Sequence, residues 1–297
     1  MRRFVWILIL AGAPGGAAAQ QVVDTAFVPP AFEPAFPMGT GPTVLIDQRH
    51  NNPALDGPLS ALASVLAADG FDLREWGPGP DLDRADAVVV VDPLAERNVG
   101  NWTLPTPSAF AASEVERLVD FVRRGGGLLL VADHMPFAGA ARALATALGV
   151  ELLNGFAIDT VTWDPITFRR SDGSLTSHPV LSDEGLGPPV DSVSTYWGHA
   201  LRPRVTTLHP LFVLPRDVVS FQPDEAWEFV GVETLDVEGW TQGVAGTVGE
   251  GRVVVLGDSG MLMAHLVGEN RTPVGLNSPS GWQNVLLLRR ILRWLTE

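Results

Sequence analysis

Residue types suited to acid, base or metal chemistry cluster just after apolar runs. Asp47, His50, Asn51 and Asn52 follow one run, Asp92 a second, Asp133 and His134 a third, and Asp258 and Ser259 a fourth. Two carboxylates and two imidazoles, Asp47, His50, Asp133 and His134, form a donor set of oxygen and nitrogen that suits a hard or borderline divalent metal. Such an ion activates water or polarises a carbonyl. Without an ion the same groups form an acid and base pair, with histidine titrating near neutrality and aspartate orienting it. Asp258 joins these four as a catalytic candidate, and Asn51, Asn277 and His265 are candidates for ligand contact. Asp92, lying before Pro93, reads instead as a turn or cap residue. The same reading covers His178 and His209, each before a proline. Trp163, Trp197, Trp240 and Trp282 are assigned to core or strap packing in preference to a sugar platform.

These residues need a scaffold that delivers strand ends to one edge. The runs 43–46, 71–76, 87–91, 128–132 and 252–256 read as strands, and the uninterrupted valines of 87–91 suit a strand covered on both faces. Helical spacing appears over 58–69, 138–148 and 282–295. Ser113 and Glu116 are spaced as a capping box that opens another helix ending before Gly125. Alternating strands and helices with right-handed crossovers predict an α/β fold, an open and mostly parallel sheet covered by helices. In such sheets ligands bind beyond the carboxyl ends of the strands. Between about 150 and 250 the pattern loosens into short β-like runs, 205–208, 211–214 and 229–232, a β-rich insertion.

Composition narrows the function classes. The 297 residues are 46% hydrophobic and contain no cysteine, which excludes a disulfide scaffold, a thiolate metal site and a disordered chain. A formal charge of −14 with every basic residue an arginine repels phosphate backbones and anionic lipid, so nucleic acid is excluded as a partner. Arg2 and Arg3, the apolar run 4–13 and Ala17-Ala18-Ala19 have the order of a signal peptide over 1–19, which predicts a secreted or periplasmic protein. Ten apolar residues are too few to span a membrane, so no stable membrane insertion is expected after signal cleavage. Residues 20–42 carry Pro29, Pro30, Pro34, Pro37 and Pro42 among Phe27, Phe32 and Phe36, the pattern of an extended strap pinned by its rings. The remainder, 43–297, reads as a single domain.

Local motifs are sparse. HExxH, GxxxxGK and GxGxxG are absent, and the triple glycine 125–127 precedes a strand where a phosphate loop would follow one. Gly257-Asp258-Ser259-Gly260 resembles the nucleophile signature of serine hydrolases of the GDS type, in permuted order, because Asp47-Gln48-Arg49-His50 comes first. A triad of Ser259, His50 and Asp47 is one consequence. Against it, Met261 stands where a nucleophile elbow expects glycine.

The segments 44–51, GGLLLVADHMP over 126–136, GRVVVLGDSGM over 251–261, Gly275 to Asn277 and the terminal NVLLLRRILRWL together resemble an exported branch of the class I glutamine amidotransferase-like superfamily, related to GldG and intraflagellar-transport GIFT modules. The resemblance spans most of 43–295. It implies a flavodoxin-like sheet and matches Asp47, His50, Asn51, Asp133, His134, Asp258 and Asn277 to the branch's polar positions. It does not bring amidotransferase chemistry, which needs a cysteine that is absent here. The expectation is an exported protein with a polar crevice, a metal-assisted hydrolase acting on a small-molecule or glycan-derived ligand. The alternatives are a non-catalytic module that binds a ligand or an envelope protein partner, and the permuted serine hydrolase.

Overall fold

The computed structural model describes residues 21–77 and 82–297, so the signal peptide expected over 1–19 lies outside the described residues. The main sheet has seven strands: β1 (Thr43–Asp47), β2 (Asp72–Trp76), β3 (Ala87–Val91), β4 (Gly127–Val131), β5 (Leu208–Pro210), β6 (Gly243–Val248) and β7 (Gly251–Leu256). Their spatial order is β5-β6-β7-β4-β3-β1-β2. The pairs from β7 to β2 are parallel, while β6 runs antiparallel to β7 and β5 antiparallel to β6. Valine and leucine fill β3 and β4 because both faces of these strands are buried, which removes any reason for polar alternation.

The fold is α/β, but the expectation of a mostly parallel, flavodoxin-like sheet covered by helices is overturned. Strand (28%) outweighs helix (24%), and the strands divide among several sheets. The main sheet is itself mixed, and the other four sheets are antiparallel throughout. The cause lies in two places. The segment between Val150 and Phe221 folds into short antiparallel pairs, among them 156–159 with 218–221 and 166–169 with 192–195. The tight turn at Glu250 then returns β7 antiparallel to β6. Within the insertion, 205–207 is a bend and turn and 229–232 holds a turn at 230–231, so neither is a strand.

Four helices of eight residues or more accompany the sheet among the described residues: α1 (Ser60–Ala68), α2 (Ala112–Arg123), α3 (Phe137–Ala147) and α4 (Gly281–Leu295). Leu62, Val65, Leu288 and Leu292 from α1 and α4 join Val44, Ile46, Val89 and Leu129 in one core cluster. Leu118, Val122, Ala141 and Leu144 from α2 and α3 join Val88, Val90, Leu128 and Leu130 in a second. Helix α2 begins at Ala112, and Glu114 accepts the Ala111 N–H, so the Ser113/Glu116 spacing lies inside the helix and does not open it.

Residues from Gln21 onward run as a strap over α1 and α4. Val22 and Val23 pair with His265 and Leu266, while Phe27, Phe32 and Phe36 pack against the core. The strap is held by a buried ion cluster. Asp69 at the end of α1 accepts from Arg289 (2.9 Å) and Arg293 (2.6 Å) and from the Ala35 N–H of the strap. Arg289 also donates to the Glu33 carbonyl and lies 3.5 Å over the Phe32 ring. Burial alone would raise the Asp69 pKa, but the two guanidinium groups outweigh it and hold this carboxyl below its ordinary range. Its stabilising share is therefore present above that range and is lost as pH falls through it. Replacing Asp69 with asparagine leaves two buried cations short of an anion. We expect a loss of about 3–5 kcal/mol, read as a lower urea midpoint; a loss under ~1 kcal/mol would show that the cluster does not anchor the strap.

Candidate functional site

Parallel register brings the ends of β3, β4 and β7 level. Val91 pairs with Val131, Val131 with Leu256, and the ladder runs one step further through Asp92 N–H to Val131 O and Ala132 N–H to Leu256 O. The residues just past that line are Asp92, Asp133, Asp258 and Ser259. Asp92 lies in a left-handed conformation (φ 45°) and accepts the Asp133 N–H at 2.8 Å. The Asp133 carboxylate in turn accepts the His134 N–H (2.7 Å) and the Ser259 hydroxyl (3.0 Å). Asp258 accepts from Met261 N–H (2.8 Å) and from Tyr196 N–H. Gly198 packs against Gly257 and Asp258 so closely that any side chain there would collide with the Gly257 carbonyl.

Burial and a neighbouring carboxylate raise two of these carboxyl groups. Burial, then the neighbouring Asp133 charge, lifts Asp92 well above the carboxylate range. The same two causes push Asp258 up to about 8, against the backbone N–H bonds that favour its charged form. Asp133 is half-buried and is the member of the trio open to a ligand.

His134 sits beside this trio in a cage of rings. It stacks on Phe156 (4.1 Å between centroids, 17° between planes), with Trp227 at 4.7 Å and Trp102 at 5.9 Å edge-on. Nδ1 donates to the Met135 carbonyl at 2.6 Å, which leaves Nε2 as the acceptor. Burial lowers its pKa. Trp227 (47% exposed) and Trp102 (36%) present faces to solvent, and Trp197 lies 6.1 Å from Trp227. Trp163, Trp197 and Trp227 all have positive φ, a conformation that bulky residues rarely hold without a reason in their surroundings. Of the tryptophans assigned to core or strap packing, Trp163 and Trp282 are exposed.

Asp47 and His50 occupy a different setting. Nδ1 of His50 lies 2.7 Å from Asp47 Oδ2, and its Nε2 lies 3.5 Å from Glu114. The ring is packed by Phe110 (4.3 Å) and Trp76, and Arg49 bonds Glu114 at 2.9 Å while lying over Trp76. Burial works upward on Glu114, yet the Ala111 N–H, His50 and Arg49 hold it below its ordinary range. This group ties the loop after β1 to the start of α2.

The proposed metal set of Asp47, His50, Asp133 and His134 is corrected accordingly. Among the described residues no group of three or more histidine, aspartate or glutamate side chains is arranged to hold a metal ion. The physical reason is that β3 separates β1 from β4 in the sheet, while His134 turns into its cage. The triad is corrected too, because Ser259 donates to Asp133 while His50 is committed to Asp47 and Glu114.

Three ligand candidates also lie elsewhere. His265 is on the strand paired with the strap and meets Gln21 at 2.9 Å. Asn277 donates to Asp24 and to the His265 carbonyl, again beneath the strap. Asn51 donates to the Leu94 carbonyl from a left-handed turn (φ 52°). Asp92, set aside as a turn residue, proves central; its position after a wholly apolar strand was the available signal. His199 was missed because its role depends on packing. It is fully buried, its backbone N–H donates to the Gly257 carbonyl, and its ring lies against the backbone of Ala132 and Asp133.

No family model matches the sequence, and no curated protein matches it. Among solved structures the chain is similar to the mmIFT52 N-terminal domain, with a TM-score of 0.54 at 10% identity, covering 84% of this chain and 100% of that one. It is also similar to a protein from Parabacteroides merdae described as ThuA-like (TM-score 0.44, 12% identity, 86% of this chain and 89% of that one). The exo-β-1,4-mannosidase Op5Man5 from Opitutaceae bacterium strain TAV5 gives a TM-score of 0.40 at 15% identity over 73% of this chain. This chain spans 31% of the mannosidase's length. At these identities the mmIFT52 likeness concerns the fold alone. The comparisons lend no support to an amidotransferase-like kinship.

Two outcomes test this geometry. Burial holds the His199 pKa at about 3, below the ~6.5 of an unfolded histidine. The unfolded chain therefore takes up the proton first, and stability is lost as pH falls from ~6.5 toward 3. We expect the drop in melting temperature between pH 7 and pH 5 to shrink in His199→Leu; an unchanged drop would place the acid sensitivity elsewhere. Because the Ser259 hydroxyl donates to Asp133 and, among the described residues, to no histidine, a fluorophosphonate should leave the wild type unlabelled. Labelling lost in Ser259→Ala would restore the serine reading.

Proposed function

We propose that the carboxyl edge of β3, β4 and β7 is an acid–base site of hydrolase type for a neutral, polyhydroxylated, glycan-derived ligand. The observation that supports this most directly is the meeting of Asp92, Asp133, Asp258 and Ser259 beside exposed tryptophan faces. Carboxyl groups crowded into a water-poor site cannot all be charged, so the cluster retains a proton where an isolated aspartate would have lost it. Asp133 meets the ligand, and Asp92 and Asp258 behind it are the proton reserve. In hydrolysis the attacking water gives one proton to Asp133, its hydroxyl adds to the scissile carbon, and the departing oxygen takes a proton from the cluster. Tryptophan faces suit the C–H faces of a sugar ring, and a chain of net charge −14 repels anionic substrates from this acidic edge.

A binding module without turnover is the second reading. It is favoured by the commitments of His134 to Met135 and of Ser259 to Asp133, which leave no activated nucleophile. One variant separates the two. On chromogenic glycosides, Asp133→Asn is expected to lose about 100-fold or more in turnover while ligand quenching of tryptophan fluorescence persists. Quenching in a wild type without turnover would favour the binding module and end the hydrolase reading.

A further inference from the structure

A cleft of about 390 Å³, partly walled by Arg142 of α3, has none of the carboxylate trio in its lining. Leu104, Pro105 and Pro223 form its apolar walls, and Thr106, Arg142, Asn154 and Gln222 its polar ones. The volume suits a small ligand.

The hydrogen bonds behind the wall decide what faces inward. Asn154 accepts the Gly139 N–H at 2.7 Å and donates to Thr106 Oγ1 at 3.0 Å, so the Thr106 hydroxyl keeps its own proton to donate. Gln222 spends its amide protons on Ser220 Oγ (2.7 Å) and the Phe221 carbonyl (3.2 Å), which leaves Oε1 as an acceptor. Both orientations are fixed by close packing. A side chain at Gly139 would collide with Thr106 Oγ1, and one at Gly155 would collide with Gln222 Nε2. Arg97 clamps the apolar wall from outside, donating to the carbonyls of Leu104 (3.0 Å) and Pro105 (3.2 Å).

Arg142 is exposed and makes no hydrogen bond or ion pair with the described residues, so its guanidinium N–H groups are free. In a chain of net charge −14 an anion is held only where a local cation offsets the field. A guanidinium binds a carboxylate through two parallel hydrogen bonds. The adjacent donor on Thr106 and acceptor on Gln222 match a hydroxyl group, which both accepts and donates.

We propose that this cleft binds a small hydroxycarboxylate of the sugar-acid class, its carboxylate on Arg142 and a hydroxyl between Thr106 and Gln222. The assignment does not depend on chemistry at Asp133. Isothermal titration of the full chain with D-glucuronate, with D-glucose as the neutral comparator, tests it. Saturable glucuronate binding is expected, weakened about tenfold in Arg142→Gln and about threefold in Gln222→Ala, while any heat from glucose is the same in Arg142→Gln as in the wild type. Arg142 has no partner to lose among the described residues, so its variant should melt as the wild type does, and Asp133→Asn should bind glucuronate normally. Absence of binding up to about 20 mM, equal affinity in Arg142→Gln, or a like weakening of glucose binding in Arg142→Gln would overturn the proposal.

Discussion

Removing carboxyl groups from water costs several kcal/mol each unless a charge or a proton compensates, and this constraint organises the molecule. At Asp69 the compensation is cationic, with two guanidinium groups bonded to one carboxylate. At Asp92 and Asp258 burial and the neighbouring Asp133 charge act together toward the protonated form. The same residue type is thus a structural anchor beneath the strap and, at the carboxyl edge, a carboxyl group pushed toward its protonated form. The surroundings decide which.

Backbone geometry makes the second arrangement tolerable. The segments after β4 and β7 and the backbone at Tyr196 present N–H groups to the carboxylates, and a left-handed turn at Asp92 aims its oxygen at the Asp133 N–H. The closeness of Gly198 to Asp258 shows how little room remains, since the packing there admits only a hydrogen in place of a side chain. The aromatic cage around His134 adds an apolar wall on one side. A buried acidic cluster next to exposed rings distinguishes this edge from the rest of the surface.

Much of the central scaffold was legible in the residues. The valine run 87–91 and the leucine run 128–132 could be read as doubly covered strands because burial on both faces suppresses alternation, and both lie at the centre of the sheet. The mixed character of the whole was not legible. Strands such as 201–203 and 208–210 are three residues long, and so short a segment carries no period from which pairing or direction can be inferred. Asp133 and Asp258 were found because each follows an apolar run. Asp47 and His50 were found the same way and yet serve a different environment, since following a strand states nothing about which neighbour that strand will have.

The amino-acid sequence by itself determined the class of chain, its acidic field, the absence of thiol chemistry and the strands that deliver aspartates to one edge. These follow from composition and local periodicity, which are properties of short stretches. Only the tertiary structure decided that Asp92 belongs with Asp133 and Asp258, that His50 belongs with Glu114, and that His134 is ringed by tryptophan and phenylalanine. Partnerships of that kind depend on strand order and on loops distant in the chain, and the hydrophobic pattern that forms each strand is indifferent to the order in which the strands are laid down.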